Sequence, residues 1–154
     1  MAEAGLARTV FYRYFVDLPS LAPALLPDSD DAIVDRVRRI ESGHPQDLVL
    51  EMVDELVATF AEHGRLLRAI DDAARHDPAV ADRLETALVG PRLLSAALLE
   101  GAAHAPSSPH ESARMLMAAH RAYLLDAFGA GHAPDDAPAR ARAALLALWQ
   151  ALLR

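Results

Sequence analysis

Seven histidines are the side chains of this sequence that would most readily hold a metal ion, so their spacing is informative. No HxxxH or HExxH pattern occurs, and the best remaining combination is Asp72 with His76, four residues apart on one predicted helix face. This pair offers two ligands where a zinc site needs three or four. An exposed Asp–His pair on a helix is the favoured interpretation, and we predict no metal site and no cofactor.

The residue patterns needed for nucleophilic or phosphate chemistry are also missing. The chain has no cysteine, and Ser107-Ser108 lies in a proline-flanked segment without GxSxG. No glycine-rich phosphate loop occurs, and the paired carboxylates fit helix caps and solvated faces. A ligand-binding helical enzyme would need several titratable groups around a cavity, and His120 is the single candidate. We therefore predict no catalytic residue and no enzymatic activity.

The elements that would position any site are predicted to be helices. Apolar residues recur at helical spacing, and no Asn-Gly or Asp-Gly turn separates alternating segments. We expect a break at His63-Gly64 and a kink or break at Pro91. The predicted helices span about 8–15, 30–40, 47–62, 65–75, 77–100, 109–128 and 137–153. A further helix is expected to begin after Asp17, with its length limited by Pro23 and Pro27. The sequence thus predicts an all-α protein.

Composition and charge restrict the class of protein further. With 53% hydrophobic residues, the 154-residue chain can bury one sizeable core. It lacks a signal-peptide pattern and any run of 18 apolar residues, so we expect a soluble, cytoplasmic protein. Its formal charge of −7 excludes a nonspecific nucleic-acid binder. Residues 1–15 hold two arginines against one glutamate, so any contact with phosphates is expected there.

The last two predicted helices are apolar on two sides. Each covers more than the roughly 100° stripe that one core contact needs. Such helices must be buried on two sides, either centrally in the bundle or against another subunit. We predict a two-fold homodimer formed by residues 109–128 and 137–153. The predicted interface residues are Leu116, Ala119, Tyr123, Leu145, Leu148 and Leu152.

The segment AGLARTVFYRYF at residues 4–15 resembles the turn and recognition helix of the TetR/AcrR family of transcriptional regulators, usually written AGVSRTTFYRHF. The resemblance implies a partial helix-turn-helix DNA-binding domain over residues 1–27, with its recognition helix at about 8–15. It implies a regulatory domain for ligand binding and dimerisation over residues 28–154. The residues it places at the DNA are Arg8, Thr9, Tyr12, Arg13 and Tyr14.

Two departures from the family pattern bear on DNA binding. In the family, two helices precede the recognition helix. The first of them is absent from this sequence, and only the residues MAEA would remain of the second, which braces the recognition helix. Family members also commonly place a lysine at the start of the next helix, where this chain has Leu18. Losing one phosphate contact weakens binding to all DNA sequences about equally. We therefore expect the chain as given to bind DNA weakly.

The remainder resembles the regulatory domain of the EthR-type branch of that family. The resemblance lies in residues 55–88, 112–128 and 145–154, and it includes Phe60, Arg121 and Trp149. It implies a hydrophobic tunnel along the bundle and a dimer formed by the last two helices. In that branch an aromatic residue at the position of Trp149 lines the tunnel.

A largely apolar effector cavity is therefore expected within the bundle. Its walls would be Leu56, Phe60, Leu67, Ile70, Leu84, Leu88, Met115 and Trp149, with His120 or Tyr123 as the polar feature. Two alternatives stay open. These residues would fill one another's space at ordinary core density, or His120 would be a core or interface histidine with a partner inside the protein.

Together these observations favour a homodimeric transcriptional repressor of the TetR type. A small hydrophobic effector would favour one of two dimer arrangements and so release operator DNA from the two recognition helices. The alternative is a helical dimerisation or interaction protein that keeps the same scaffold but has lost DNA binding. No membrane partner is expected.

Overall fold

The computed structural model describes residues 30–43 and 45–154, and every regular element in these ranges is a helix. The predicted all-α fold is confirmed. None of these helices is both long enough and apolar enough to cross a membrane. The predicted DNA-contacting residues Arg8, Thr9, Tyr12, Arg13 and Tyr14, and the whole predicted 1–27 domain, lie outside the described ranges. The helices are α1 (Asp30–Glu41), α2 (Pro45–Ala74), α3 (Pro78–Ala87), α4 (Val89–Glu100), α5 (Pro109–Phe128) and α6 (Ala137–Leu152).

Helix α2 runs without interruption through His63-Gly64, so the predicted break there is wrong. A glycine inside a helix costs only about 1 kcal/mol relative to alanine. Gly64 is buried, and the missing side chain lets α2 come close to the backbone of Phe128. Packing against the end of α5 therefore outweighs the weak helix propensity of this glycine.

The chain breaks between α3 and α4 at Leu88, three residues before Pro91. Proline lacks the N–H that would bond back one helical turn, so the helix restarts with Pro91 in the first turn of α4. The start of α3 is capped, because the Asp77 side chain accepts a hydrogen bond from the Ala79 N–H at 2.9 Å. Arg92 then joins the two helices through two hydrogen bonds to Glu85, at 2.6 and 3.2 Å.

The main core lies between α2, α4, α5 and α6. Burial of one leucine or valine side chain in such a core contributes about 1.5–3 kcal/mol. A smaller cluster joins α2 to α3 and contains Ile70 and Val80. The least exposed large side chains of the main core are Leu48, Val53, Leu94, Leu98, Leu99, Leu124 and Trp149.

Three exposed arginine–carboxylate pairs set α1 and α6 against the first half of α2. The α1 arginines Arg36 and Arg39 bind Glu55 and Glu51 at 2.8 and 2.6 Å. On the other side, Arg142 of α6 binds Asp54 at 2.5 Å. Exposed pairs of this kind contribute little net stability, so their main effect is on how the helices are aligned.

Candidate functional site

One side of α5 is already buried inside the bundle. Ala113, Leu116, His120, Leu124 and Phe128 point inward at helical spacing. The opposite side is exposed although it is apolar: Met115 is 70% exposed and Tyr123 is 42% exposed. Between these two residues the exposed positions are Ala118, Ala119 and Ala122.

Helix α6 has the same two-sided character. Ala141, Leu145, Leu146 and Trp149 are buried. Leu148 and Leu152 stay 40% and 36% exposed, and the other exposed apolar positions are Ala139, Ala143, Ala144, Ala147 and Ala151. We call the exposed apolar positions of α5 and α6 together the outer face; it comprises Met115, Ala118, Ala119, Ala122, Tyr123, Ala139, Ala143, Ala144, Ala147, Leu148, Ala151 and Leu152.

Four of the six predicted interface residues belong to the outer face, namely Ala119, Tyr123, Leu148 and Leu152. The other two, Leu116 and Leu145, are only 7% and 3% exposed and pack in the main core. Their selection as interface residues is corrected here. Successive residues of a helix project about 100° apart, so each of these leucines shares the inward side with the residue four positions away.

His120 and Trp149 form the polar feature of the interior. Their ring centroids are 6.1 Å apart at an angle of 51°, and the two residues are 3% and 2% exposed. Burial lowers the pKa of His120 to about 4, so its ring is neutral near pH 7. Within the described part of the chain, its Nε2 atom has no hydrogen-bond partner. His120, predicted with Tyr123 as a candidate polar feature of a cavity, is thus a buried and neutral ring.

The remaining predicted cavity residues do not surround one common space. Phe60 and Trp149 belong to the main core, with Leu56 and Leu67 packed at its margin. Ile70 belongs to the smaller cluster instead, and Leu84 and Leu88 are partly buried on and just after α3. Met115 and Tyr123 lie on the outer face, so their assignment to an interior wall is corrected.

A cleft that the sequence did not predict lies where α2 passes the turn between α5 and α6. Its volume is about 630 Å³. The approach depends on Gly64, because a Cβ there would lie 2.5 Å from the Phe128 carbonyl oxygen. Gly131, with φ +79°, completes the turn against Arg65. In sequence Gly64 indicated a helix break, and its close contact, like that of Gly131, arises from the tertiary fold. The lining includes His63, Arg65, Phe128, His132 and Asp135.

Polar contacts fix α5 against the second half of α2. The Arg68 guanidinium donates a hydrogen bond from Nη2 to the Leu125 carbonyl oxygen at 2.8 Å, near the carboxyl end of α5. Arg121 forms an ion pair with Asp71, and Asp71 also accepts from Arg75 at 2.7 Å. The inner side of α5 is therefore held by polar as well as apolar contacts.

The described residues contain no group of three histidine, aspartate or glutamate side chains that could hold a metal ion. In the predicted Asp72–His76 pair, the Asp72 Oδ1 atom lies 3.7 Å from the Nη1 atom of Arg75.

The chain matches no protein-family model, no curated protein and no solved structure.

Proposed function

We propose that this chain is the regulatory part of a TetR-type transcriptional regulator that acts as a homodimer and responds to a small, mainly apolar effector. The observation that carries the proposal is the outer face. Helices α5 and α6 are apolar toward solvent although their other sides already fill the core. An exposed apolar surface of this kind is typical of a site that binds another protein.

A second copy of the chain is the proposed occupant of the outer face. The exposed apolar positions are mainly alanines, with Met115, Tyr123, Leu148 and Leu152 as the larger side chains. Small side chains let helices of two subunits approach closely, and the larger ones supply apolar area to remove from water. Two-fold pairing would bury both copies of the face at once.

The proposed effector site is the interior around His120 and Trp149. An unpaired buried nitrogen costs about 1–3 kcal/mol, and a ligand hydroxyl or amide bonded to Nε2 would offset that cost. The main core is mostly aliphatic, with Phe60, Phe128 and Trp149 as its aromatic members, which favours an apolar ligand with one hydrogen-bonding group. The residues of the main core are packed against one another. Binding would therefore require these side chains to move apart.

The DNA-binding part of the proposal rests on the resemblance at residues 4–15. A DNA-binding regulator and a protein that only dimerises would both use the outer face. The two functions differ in whether residues 8–15 recognise DNA. A gel-shift assay on a form that carries the two preceding family helices distinguishes them. In that form Arg13→Ala should weaken binding to a palindromic operator by about 1–3 kcal/mol per site. Absence of any sequence-specific binding would favour the dimerisation protein.

Sedimentation equilibrium tests the dimer. The chain should be dimeric at micromolar concentration, and Leu148→Glu should make it monomeric because the change places a charge in the outer face. Leu93→Glu is the matched control: Leu93 is 50% exposed but lies on α4, so this variant should stay dimeric. A wild-type chain that is monomeric under these conditions would refute the proposal.

Fluorescence tests the effector site, since Trp149 is the chain's one tryptophan. Bulky apolar alcohols and amides should shift its emission and raise the melting temperature. His120→Leu should retain the response to pure hydrocarbons and lose the preference for ligands with a hydrogen-bonding group. If no compound changes either signal, the sensing function is wrong.

A further inference from the structure

The cleft between α2 and the turn that joins α5 to α6 is lined by charged groups of both signs. Its volume of about 630 Å³ is within the range of small-molecule sites, about 300–1,000 Å³. Arg65 of α2 is the lining cation, and Glu62 and Asp135 are the lining carboxylates. His63 and His132 add two imidazole rings, which can form hydrogen bonds to a polar ligand.

We propose that this cleft binds a small zwitterion of the amino-acid type, a molecule with one carboxylate, one ammonium group and an apolar body. The Arg65 guanidinium would hold the ligand carboxylate through two parallel hydrogen bonds, and Glu62 and Asp135 would hold the ammonium group. This site is separate from the proposed function, because neither His120 nor Trp149 lines the cleft and no lining residue belongs to the outer face.

The charges of the cleft do not neutralise one another. Across residues 30–43 and 45–154, the side chains of Arg65 and Asp135 have no described hydrogen bond or ion pair. Glu62 and Arg65 are three positions apart on α2, which makes them neighbours on the helix surface. Glu62 nevertheless lies beside His63, with its Oε1 atom 3.7 Å from the His63 Nε2 atom. A ligand that carries both charges would supply the missing partners.

The fold keeps the two unpaired charges on either side of the turn. The Arg65 side chain lies against Gly131, since a Cβ at Gly131 would collide with its Cγ and Cδ atoms. Gly131 comes three positions after the last residue of α5, so Arg65 is close to the partly negative carboxyl end of that helix. Asp135 comes two positions before the first residue of α6, close to its partly positive amino end. Each charge is therefore stabilised by a helix end, and no ion pair has to break before a ligand binds.

The balance of charge in the lining selects the class of ligand. One arginine and two carboxylates give a formal charge of −1 when the histidines are counted as neutral. The two carboxylates would repel a phosphate or a dicarboxylate, and the arginine would repel a diamine. A simple acid or a simple amine would pair with one sign of charge and leave the other without a partner. The apolar part of the lining, with Leu66, Pro134 and Pro138, fits a short hydrocarbon chain.

A set of five-carbon compounds tests this class by isothermal titration calorimetry on the full chain. L-norvaline and 5-aminopentanoate carry both charges, pentanoate carries only the carboxylate, and pentylamine carries only the ammonium group. At least one zwitterion should bind with a dissociation constant of about 1 mM or lower. It should bind about tenfold more tightly than either singly charged compound, because it makes both charge-assisted contacts.

Charge-neutralising variants identify the residues that hold each group. Arg65→Gln should weaken binding of the zwitterion about tenfold or more without weakening that of pentylamine. The double variant Glu62→Gln with Asp135→Asn should weaken binding of the zwitterion by a similar factor without weakening that of pentanoate. Arg83→Gln and Asp82→Asn are the matched controls, since both positions are exposed on α3 outside the cleft. The control variants should bind as the wild type does, and circular dichroism checks that every variant folds.

Histidine-ring NMR signals show where the compounds bind. The zwitterion should shift the ring signals of His63 and His132 and leave those of His104, which lies outside the cleft, unchanged. The proposal is overturned if neither zwitterion binds at about 1 mM, if pentanoate or pentylamine binds as tightly, or if Arg65→Gln binds as the wild type does. A shift confined to histidines outside the cleft would also overturn it. Any of these results leaves the dimer and the effector site standing, because sedimentation and Trp149 fluorescence test those separately.

Discussion

Replacing Gly64 by alanine tests how closely α2 must approach α5. A Cβ at this position would lie 2.5 Å from the Phe128 carbonyl oxygen and 2.7 Å from its carbonyl carbon. Ordinary contact begins at 3.4 Å, so the two backbones must separate by about 1 Å. Both neighbouring atoms are backbone atoms, and no change of rotamer can relieve the clash.

The expected cost combines three effects. Overpacking of a core costs about 1–3 kcal/mol. Separating the helices also stretches the hydrogen bond from Arg68 to the Leu125 carbonyl oxygen, and a bond of that charged type contributes about 1.5–3 kcal/mol. Alanine returns about 1 kcal/mol through its better helix propensity. We therefore expect Gly64→Ala to lower the free energy of unfolding by about 1.5–5 kcal/mol, or the melting temperature by roughly 3–20 °C.

Two other glycines supply the controls for a denaturation series at one protein concentration. Gly101 has φ −80°, and a Cβ there would be 3.7 Å from its nearest neighbour. Gly101→Ala should therefore stabilise by about 0.4–1 kcal/mol. Gly43 has φ +88° and open space around it, so Gly43→Ala should cost about 1–2 kcal/mol through backbone strain alone. If Gly64→Ala raises the free energy of unfolding as Gly101→Ala does, the close approach of α2 and α5 is wrong.

Three further predictions concern polar contacts. His120 has a pKa near 4 when folded against an ordinary value of 6.5, so stability present above pH 6.5 should be lost as the pH falls to about 4, by about 3 kcal/mol. His120→Leu should remove this loss, and an unchanged pH profile of unfolding would show that the histidine is not buried. Arg68→Met should destabilise by about 1.5–3 kcal/mol in urea titration, because the Leu125 carbonyl oxygen loses its charged donor; a change under about 0.5 kcal/mol would contradict the contact. The hydrogen bond from Arg142 lowers the pKa of Asp54, so carbon-detected NMR should find that pKa raised in Arg142→Gln, and an unshifted titration would argue against the pair.

Local chemistry determined much of the fold. Proline at the starts of α3, α5 and α6 and apolar spacing at helical period predicted where these helices begin. The two-sided apolar character of α5 and α6 was also evident, because a helix that is apolar over more than one stripe needs two partners. The sequence likewise singled out His120 as the polar residue among apolar neighbours.

Other features were decided only by the tertiary structure. Sequence spacing shows that α5 has two apolar sides, but it does not show which side meets the core. Leu116 was therefore assigned to the interface and Met115 to the interior, whereas the structure buries Leu116 and leaves Met115 exposed. The continuity of α2 through Gly64 has a similar origin, since a glycine that weakens an isolated helix permits a backbone contact with Phe128, 64 positions further along the chain. Propensity acts within a few residues, whereas the choice of buried side and of close backbone contacts depends on segments brought together only when the chain folds.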